Sequence, residues 1–291
     1  MKTLFQLFFF ASLFLSCNKS EKTKGNSVVT NDSTSVSKNE SNRLQSRKEI
    51  AEQEKMDSLM MTEVLSEALI IASKNSNKTK FKDKFEIQSD NLGIIEVNID
   101  LGNHLDKISP SLIIRRQTAG LVYIDIFSKR GNKFQKLISH ELWSLTYVND
   151  TIRDINGDGL KDFVVNWYGS TGCCLKAFSN IYLLRPDKTF SKNFEFINPT
   201  FSPKEKVIRG VCYGQPGQTE MYKYKWDGEK VDTLEYVYFE KKGENKTGKV
   251  IISNRNSYDT NIKIFKKLND VPAEYKQIEG YDWFMGNTSE K

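Results

Sequence analysis

Beyond Lys80 the chain is a succession of short runs rich in β-branched and aromatic residues, broken roughly every 8–12 residues by turn chemistry. No window of helical periodicity lies between them. Segments of this kind cannot alternate with crossover helices, so parallel β–α architectures are excluded and an antiparallel all-β domain is expected over 80–285. Strands are expected at 93–101, 111–116, 121–127, 161–168, 180–184, 207–213, 220–226, 231–239, 249–253 and 261–265. Turns are expected at Lys129-Arg130-Gly131-Asn132, Arg185-Pro186-Asp187-Lys188 and Trp226-Asp227-Gly228-Glu229, because Asp-Gly and related pairs suit tight hairpins. Strand spacing fits a small propeller-like β-meander or a sandwich equally well.

The first third of the chain is different. Met1-Lys2-Thr3 precedes an apolar stretch from Leu4 to Leu15, the pattern of a secretory signal over 1–16 and too short for a spanning helix. Residues 18–44 are mostly Asn, Lys, Ser, Thr and Glu, a composition that cannot offset its own ordering entropy and is expected to form a flexible tether. Over 45–77, Met56, Met60, Val64, Ala68 and Ile71 share one arc at 3.6 residues per turn, which predicts a packing helix. The balance of 43 Lys and Arg against 37 Asp and Glu over 291 residues is too even and dispersed to mark a nucleic-acid surface.

The sharpest motif is Asp154-Ile155-Asn156-Gly157-Asp158-Gly159-Leu160-Lys161-Asp162. Oxygen side chains at alternate positions 154, 156 and 158, a glycine at 159 and a carboxylate at 162 suit one hard cation. Calcium takes six to eight oxygens, and the Leu160 carbonyl with water would complete the shell. The position where an EF-hand has its acidic twelfth residue is Val165, and a strand follows where a helix would be needed.

This loop resembles the calcium loop of integrin-type FG-GAP and related bacterial repeats, in which Asp-x-Asn-x-Asp-Gly-x-x-Asp leads into a strand. The resemblance implies Asp154, Asn156, Asp158, Leu160 and Asp162 as calcium ligands. Phe14-Leu15-Ser16-Cys17 resembles the bacterial lipoprotein box, which implies lipidation of Cys17 and a membrane anchor in the cell envelope, facing the periplasm or the cell surface. Tyr182-Leu183-Leu184, Phe190, Asn198-Pro199-Thr200-Phe201 and Val207-Ile208 are similar to features of periplasmic calcium-loop proteins that include inhibitors of lysozyme-type effectors. Such inhibitors use a Ser-Gly loop, and Tyr168-Gly169-Ser170-Thr171-Gly172 lacks that adjacent pair.

With Cys17 lipidated, Cys173, Cys174 and Cys212 remain, and an exported chain is expected to link Cys212 to Cys173 or Cys174. That bridge would join two Gly-rich loops carrying Trp167, Tyr168, Ser170, Tyr213 and Gln215, aromatic and polar residues suited to binding a partner. No nucleophile elbow, zinc spacing, Walker loop or dinucleotide fingerprint occurs, so no catalytic residue is assigned and no enzyme is expected. The expected role is binding of a protein partner in the envelope, such as a cell-wall-degrading effector, or of a glycan or another envelope component.

Overall fold

A computed structural model describes residues 33–169 and 177–287, with side chains from 43 onward. The chain divides into two compact units, one ending at Glu52 and the other running from Gln53 to Lys291. A helix, α1 (Ser33–Lys74), begins earlier than the sequence pattern indicates and takes in the end of the segment read as tether. Of the arc expected, Val64 and Ala68 are buried and Met60 and Ile71 pack partly buried beside them, so only Met56 departs from it. Met61, Val64, Leu65, Ala68 and Ala72 are buried, whereas Met56 is 58% exposed.

The rest of the second unit is antiparallel sheet, as expected. Five strands, β1 (Phe81–Ser89), β2 (Gly93–Gly102), β3 (Ser111–Gln117), β4 (Leu121–Arg130) and β5 (Lys133–Trp143), make the first sheet in chain order. The second holds β6 (Tyr147–Arg153), β7 (Asp162–Tyr168), β8 (Ala177–Tyr182) and β9 (Phe194–Ile197). The third holds β10 (Pro199–Ser202), β11 (Val207–Val211), β12 (Met221–Asp227), β13 (Lys230–Lys242), β14 (Asn245–Ser253) and β15 (Ile264–Leu268). Every strand pairs with its sequence neighbour, so the three sheets are successive meanders and none closes into a barrel. A one-turn helix, α2 (Tyr281–Met285), ends the described chain.

Side-chain alternation explains how the sheets stack. Successive residues of a strand point to opposite faces, so strands such as Asp162–Tyr168 that are apolar on both parities must be covered twice. Val97, Ile99, Leu112 and Ile114 pack against α1, while Ile113, Val122, Ile124 and Ile126 meet Phe163 and Val165 of the second sheet. The opposite face of that sheet, with Val164 and Ile181, meets Ile208, Tyr222 and Trp226 of the third. The third sheet then buries Val211, Met221, Val237 and Val250 against Val271, Tyr275, Ile278 and Phe284 near the C-terminus. The layers are therefore helix, three sheets and a C-terminal cover.

One buried ion pair pins α1 to the first sheet. Arg116 meets Asp125 at 2.6 Å, both almost fully buried, and also donates to the carbonyl of Met61. Ser139 and Lys136 complete the acceptor shell of Asp125 at 2.7 and 2.8 Å.

Candidate functional site

The acidic motif is the hairpin connection between β6 and β7, whose ends are paired through Arg153 and Asp162. Short polar side chains followed by glycine favour local side-chain-to-backbone bonds, and they form here. Asp154 accepts the N–H groups of Gly157 at 2.7 Å and Gly159 at 3.0 Å. Asn156 accepts from the N–H of Asp158 at 3.1 Å, and Asp158 from that of Leu160 at 2.8 Å. Gly157 and Gly159 both have positive φ, and a Cβ at Gly157 would lie 2.1 Å from the Pro203 carbonyl oxygen. Leu160 packs its side chain into the core between the first and second sheets.

Asp162 is the innermost member of the motif, fully buried, accepting the N–H of Ile155 at 2.8 Å and that of Leu184 at 2.9 Å. Burial pushes its carboxyl up to about 6, against the pull of those two N–H groups, and Asp158 and Asp154 add to the rise. The oxygens of Asp154, Asn156, Asp158 and Asp162 thus have the hardness calcium prefers and negative charge that a cation would relieve. Nevertheless, among the described residues no three His, Cys, Asp or Glu side chains converge into a metal-binding group. The acidic groups are oriented by loop N–H donors. Lys206 and Lys225 also line a cavity of about 440 Å³ with Asn156 and Asp158.

At the opposite end of β7, Trp167 stacks on Phe178 of β8 with ring centroids 4.2 Å apart, and its indole N–H donates to Asn180. These residues line a cleft of about 520 Å³ with Trp143, His140 and Glu195. Trp143, one of the lining residues, is 64% exposed, whereas Tyr168 follows Trp167 in β7 and points to the opposite face of the sheet. Deeper in, His140 Nδ1 lies 2.7 Å from the Tyr182 hydroxyl. Burial pushes its imidazole down to about 4, so it is neutral at physiological pH.

Compared with known protein families, curated proteins and solved structures, the chain matches none of them.

Of the residues expected to bind a partner, Trp167 lines the cleft, Tyr168 points to the opposite face of β7, and Tyr213 and Gln215 are exposed on the β11–β12 connection. Ser170, Cys173, Cys174 and Cys17, the residue expected to carry lipid, lie outside the described residues. Cys212 forms no disulfide among the described residues. Burial, helped by Glu220, pushes its thiol up to about 12, so at neutral pH it is a thiol with negligible thiolate.

The two Gly-rich loops are nonetheless joined at their bases. Asn198, buried and at positive φ, accepts the Ala177 N–H at 2.9 Å and donates to the Val211 carbonyl at 2.9 Å. This bridge went unread in the sequence. An Asn before Pro is a turn signal, and only the strand pairing reveals which two loops it joins.

Proposed function

We propose that this chain is a lipid-anchored protein of the bacterial cell envelope that acts by binding a protein partner, including as an inhibitor of cell-wall-degrading effectors. The observation that carries the reading is the aromatic cleft around Trp143, Trp167 and Phe178, in which Trp143 is well exposed. Aromatic anchors held on a rigid sheet are good binding elements because they bury much surface and lose little side-chain freedom. In this reading the FG-GAP-like loop binds calcium in a structural role, through Asp154, Asn156, Asp158, Asp162 and the Leu160 carbonyl. Its place at the head of β7 means that ordering the loop also steadies the strand carrying Trp167.

A second reading is favoured by the polar lining of the same cleft. Asn180 and Glu195 beside stacked aromatic rings suit a sugar ring, which needs a flat apolar platform and hydrogen-bonding edges.

The deciding experiment adds purified full-length protein to a panel of lysozyme-type cell-wall hydrolases, with soluble cell-wall glycan measured in parallel. Inhibition that is lost in Trp143→Ala supports the first reading. Glycan binding without inhibition replaces it with the second, and neither activity would refute the cleft as the functional site.

A further inference from the structure

A second cavity lies on the third sheet, away from the aromatic cleft. Its floor is the sheet face beside Glu220, the residue immediately before β12, with Tyr238 of β13 and Ile251 of β14. Its roof is the connection between β14 and β15, closed by the Lys263 N–H donating to Asn254 at 2.7 Å. Tyr258, Ile262 and Ile264 line it from that side, and its volume is about 410 Å³. That is within the range of small-molecule sites, roughly 300–1,000 Å³.

Glu220 distinguishes this cavity from a packing defect. The residue is only 4% exposed, and one oxygen, Oε1, accepts both the backbone N–H of Ser257 at 2.9 Å and its hydroxyl. The other oxygen, Oε2, is buried and has no hydrogen-bond partner among the described residues. A buried carboxylate oxygen without a donor is costly, and burial pushes the Glu220 carboxyl above its ordinary value; a donor brought to Oε2 would relieve that cost. Nearby groups do not supply it. Glu240 is itself an acceptor, held by Lys267 and the Thr247 hydroxyl, and Lys241 lines the cavity and acts on Glu220 through its charge but forms no ion pair with it.

The chemistry of the walls then selects the donor. A bare metal ion needs several converging oxygens, and the two acidic residues of this cavity, Glu220 and the Lys267-paired Glu240, are too few to supply them. With Glu240 already paired to Lys267, the remaining carboxylate, Glu220, among isoleucines and two tyrosine rings instead suits a cationic head on an apolar body. The head satisfies Oε2, the rings favour a cation at their faces, and the stem covers the isoleucines. We propose that the Glu220 cavity binds an organic cation, an ammonium or guanidinium group carried on a short apolar stem. Tyr258, 79% exposed at the rim, would close over the stem.

The test uses the full chain and three probes of matched shape: phenethylammonium, the anion 3-phenylpropanoate and the neutral 3-phenylpropan-1-ol, with binding followed by ligand-observed NMR. The cation is expected to bind in the millimolar range or tighter, and at least ~10-fold better than either control. Glu220→Gln, which keeps the shape and the Ser257 contacts, is expected to erase that preference while leaving the melting curve in place. Tyr258→Ala is expected to weaken the cation several-fold. Equal binding of the three probes, preference for the alcohol or the anion, or no binding of the cation at millimolar concentration would overturn the proposal. Should Glu220→Gln fail to fold, the ranking of the probes on the unmodified chain still decides it.

Discussion

Asp162 and Leu184 are 22 residues apart, and the carboxylate of the first accepts the backbone N–H of the second at 2.9 Å. The other oxygen of the same carboxylate holds Ile155 in the acidic loop. One side chain therefore ties the loop, the start of β7 and the segment after β8 together. Asp162→Ala would strand two buried N–H groups, at a cost of about 2–4 kcal/mol. Chemical denaturation in the presence of a chelator checks this, because metal release cannot then account for the loss. A change below about 0.5 kcal/mol would mean that the two bonds add little.

Acid titration should expose two buried groups of opposite sign. His140 has its folded pKa depressed to about 4, so the unfolded chain takes up its proton more readily. Its contribution is complete above the ordinary histidine range and is lost as pH falls through that range towards about 4. Asp162 has a raised folded pKa of about 6, so its contribution runs the other way, falling as pH rises from the ordinary carboxylate range towards that value. Denaturation midpoints at several pH values should therefore show a shallower acid-side loss in His140→Gln than in wild type. Parallel curves for the two proteins would contradict the assignment.

The Arg116–Asp125 pair makes a third expectation. Removing one partner, as in Asp125→Ala, leaves a buried guanidinium uncompensated and should cost roughly 3–5 kcal/mol. Replacing both with apolar residues, Arg116→Met with Asp125→Leu, should cost markedly less, because neither charge is then buried alone. Thermal or denaturant unfolding of the three proteins measures it, and equal losses in the single and double variants would argue against a coupled pair.

Much of the fold was legible because its strands carry apolar residues on at least one parity. Gly93–Gly102 and Asp162–Tyr168 are examples, and their ends were marked by turn residues. Lys133–Trp143 was missed for the opposite reason: much of it is exposed, so its composition reads as loop. The helix face was legible from Met60 to Ile71 and missed only at Met56, which lies one turn before the first residue that the sheet covers. The acidic loop was readable because its residues are contiguous. Asn198, His140 and Glu220 acquire their roles from partners far along the chain, which register supplies and local pattern does not.

Membrane attachment provides a fourth expectation. Among the described residues no helix is long and apolar enough to cross a membrane, and the lipoprotein-like segment lies outside them. If Cys17 carries acyl chains, metabolic labelling with a fatty-acid analogue in a bacterial host should mark the wild-type chain and not Cys17→Ala. Equal labelling, or none in either, would remove the anchor from the account.

The central claim is that the Asp154–Asp162 loop holds calcium, and thermal unfolding of the full chain tests it most directly. Three carboxylates in one short loop repel each other, and an ion bound only to the folded state stabilises it by about 2.7 kcal/mol at a hundredfold excess over Kd. The account predicts a lower Tm in chelator, recovery on adding calcium, and no response in Asp154→Ala with Asp158→Ala. A control pair outside the loop, Asp83→Ala with Asp232→Ala, should keep the full response. A Tm indifferent to chelator and calcium in the wild-type protein would contradict the claim and leave the motif a turn held by its own N–H groups.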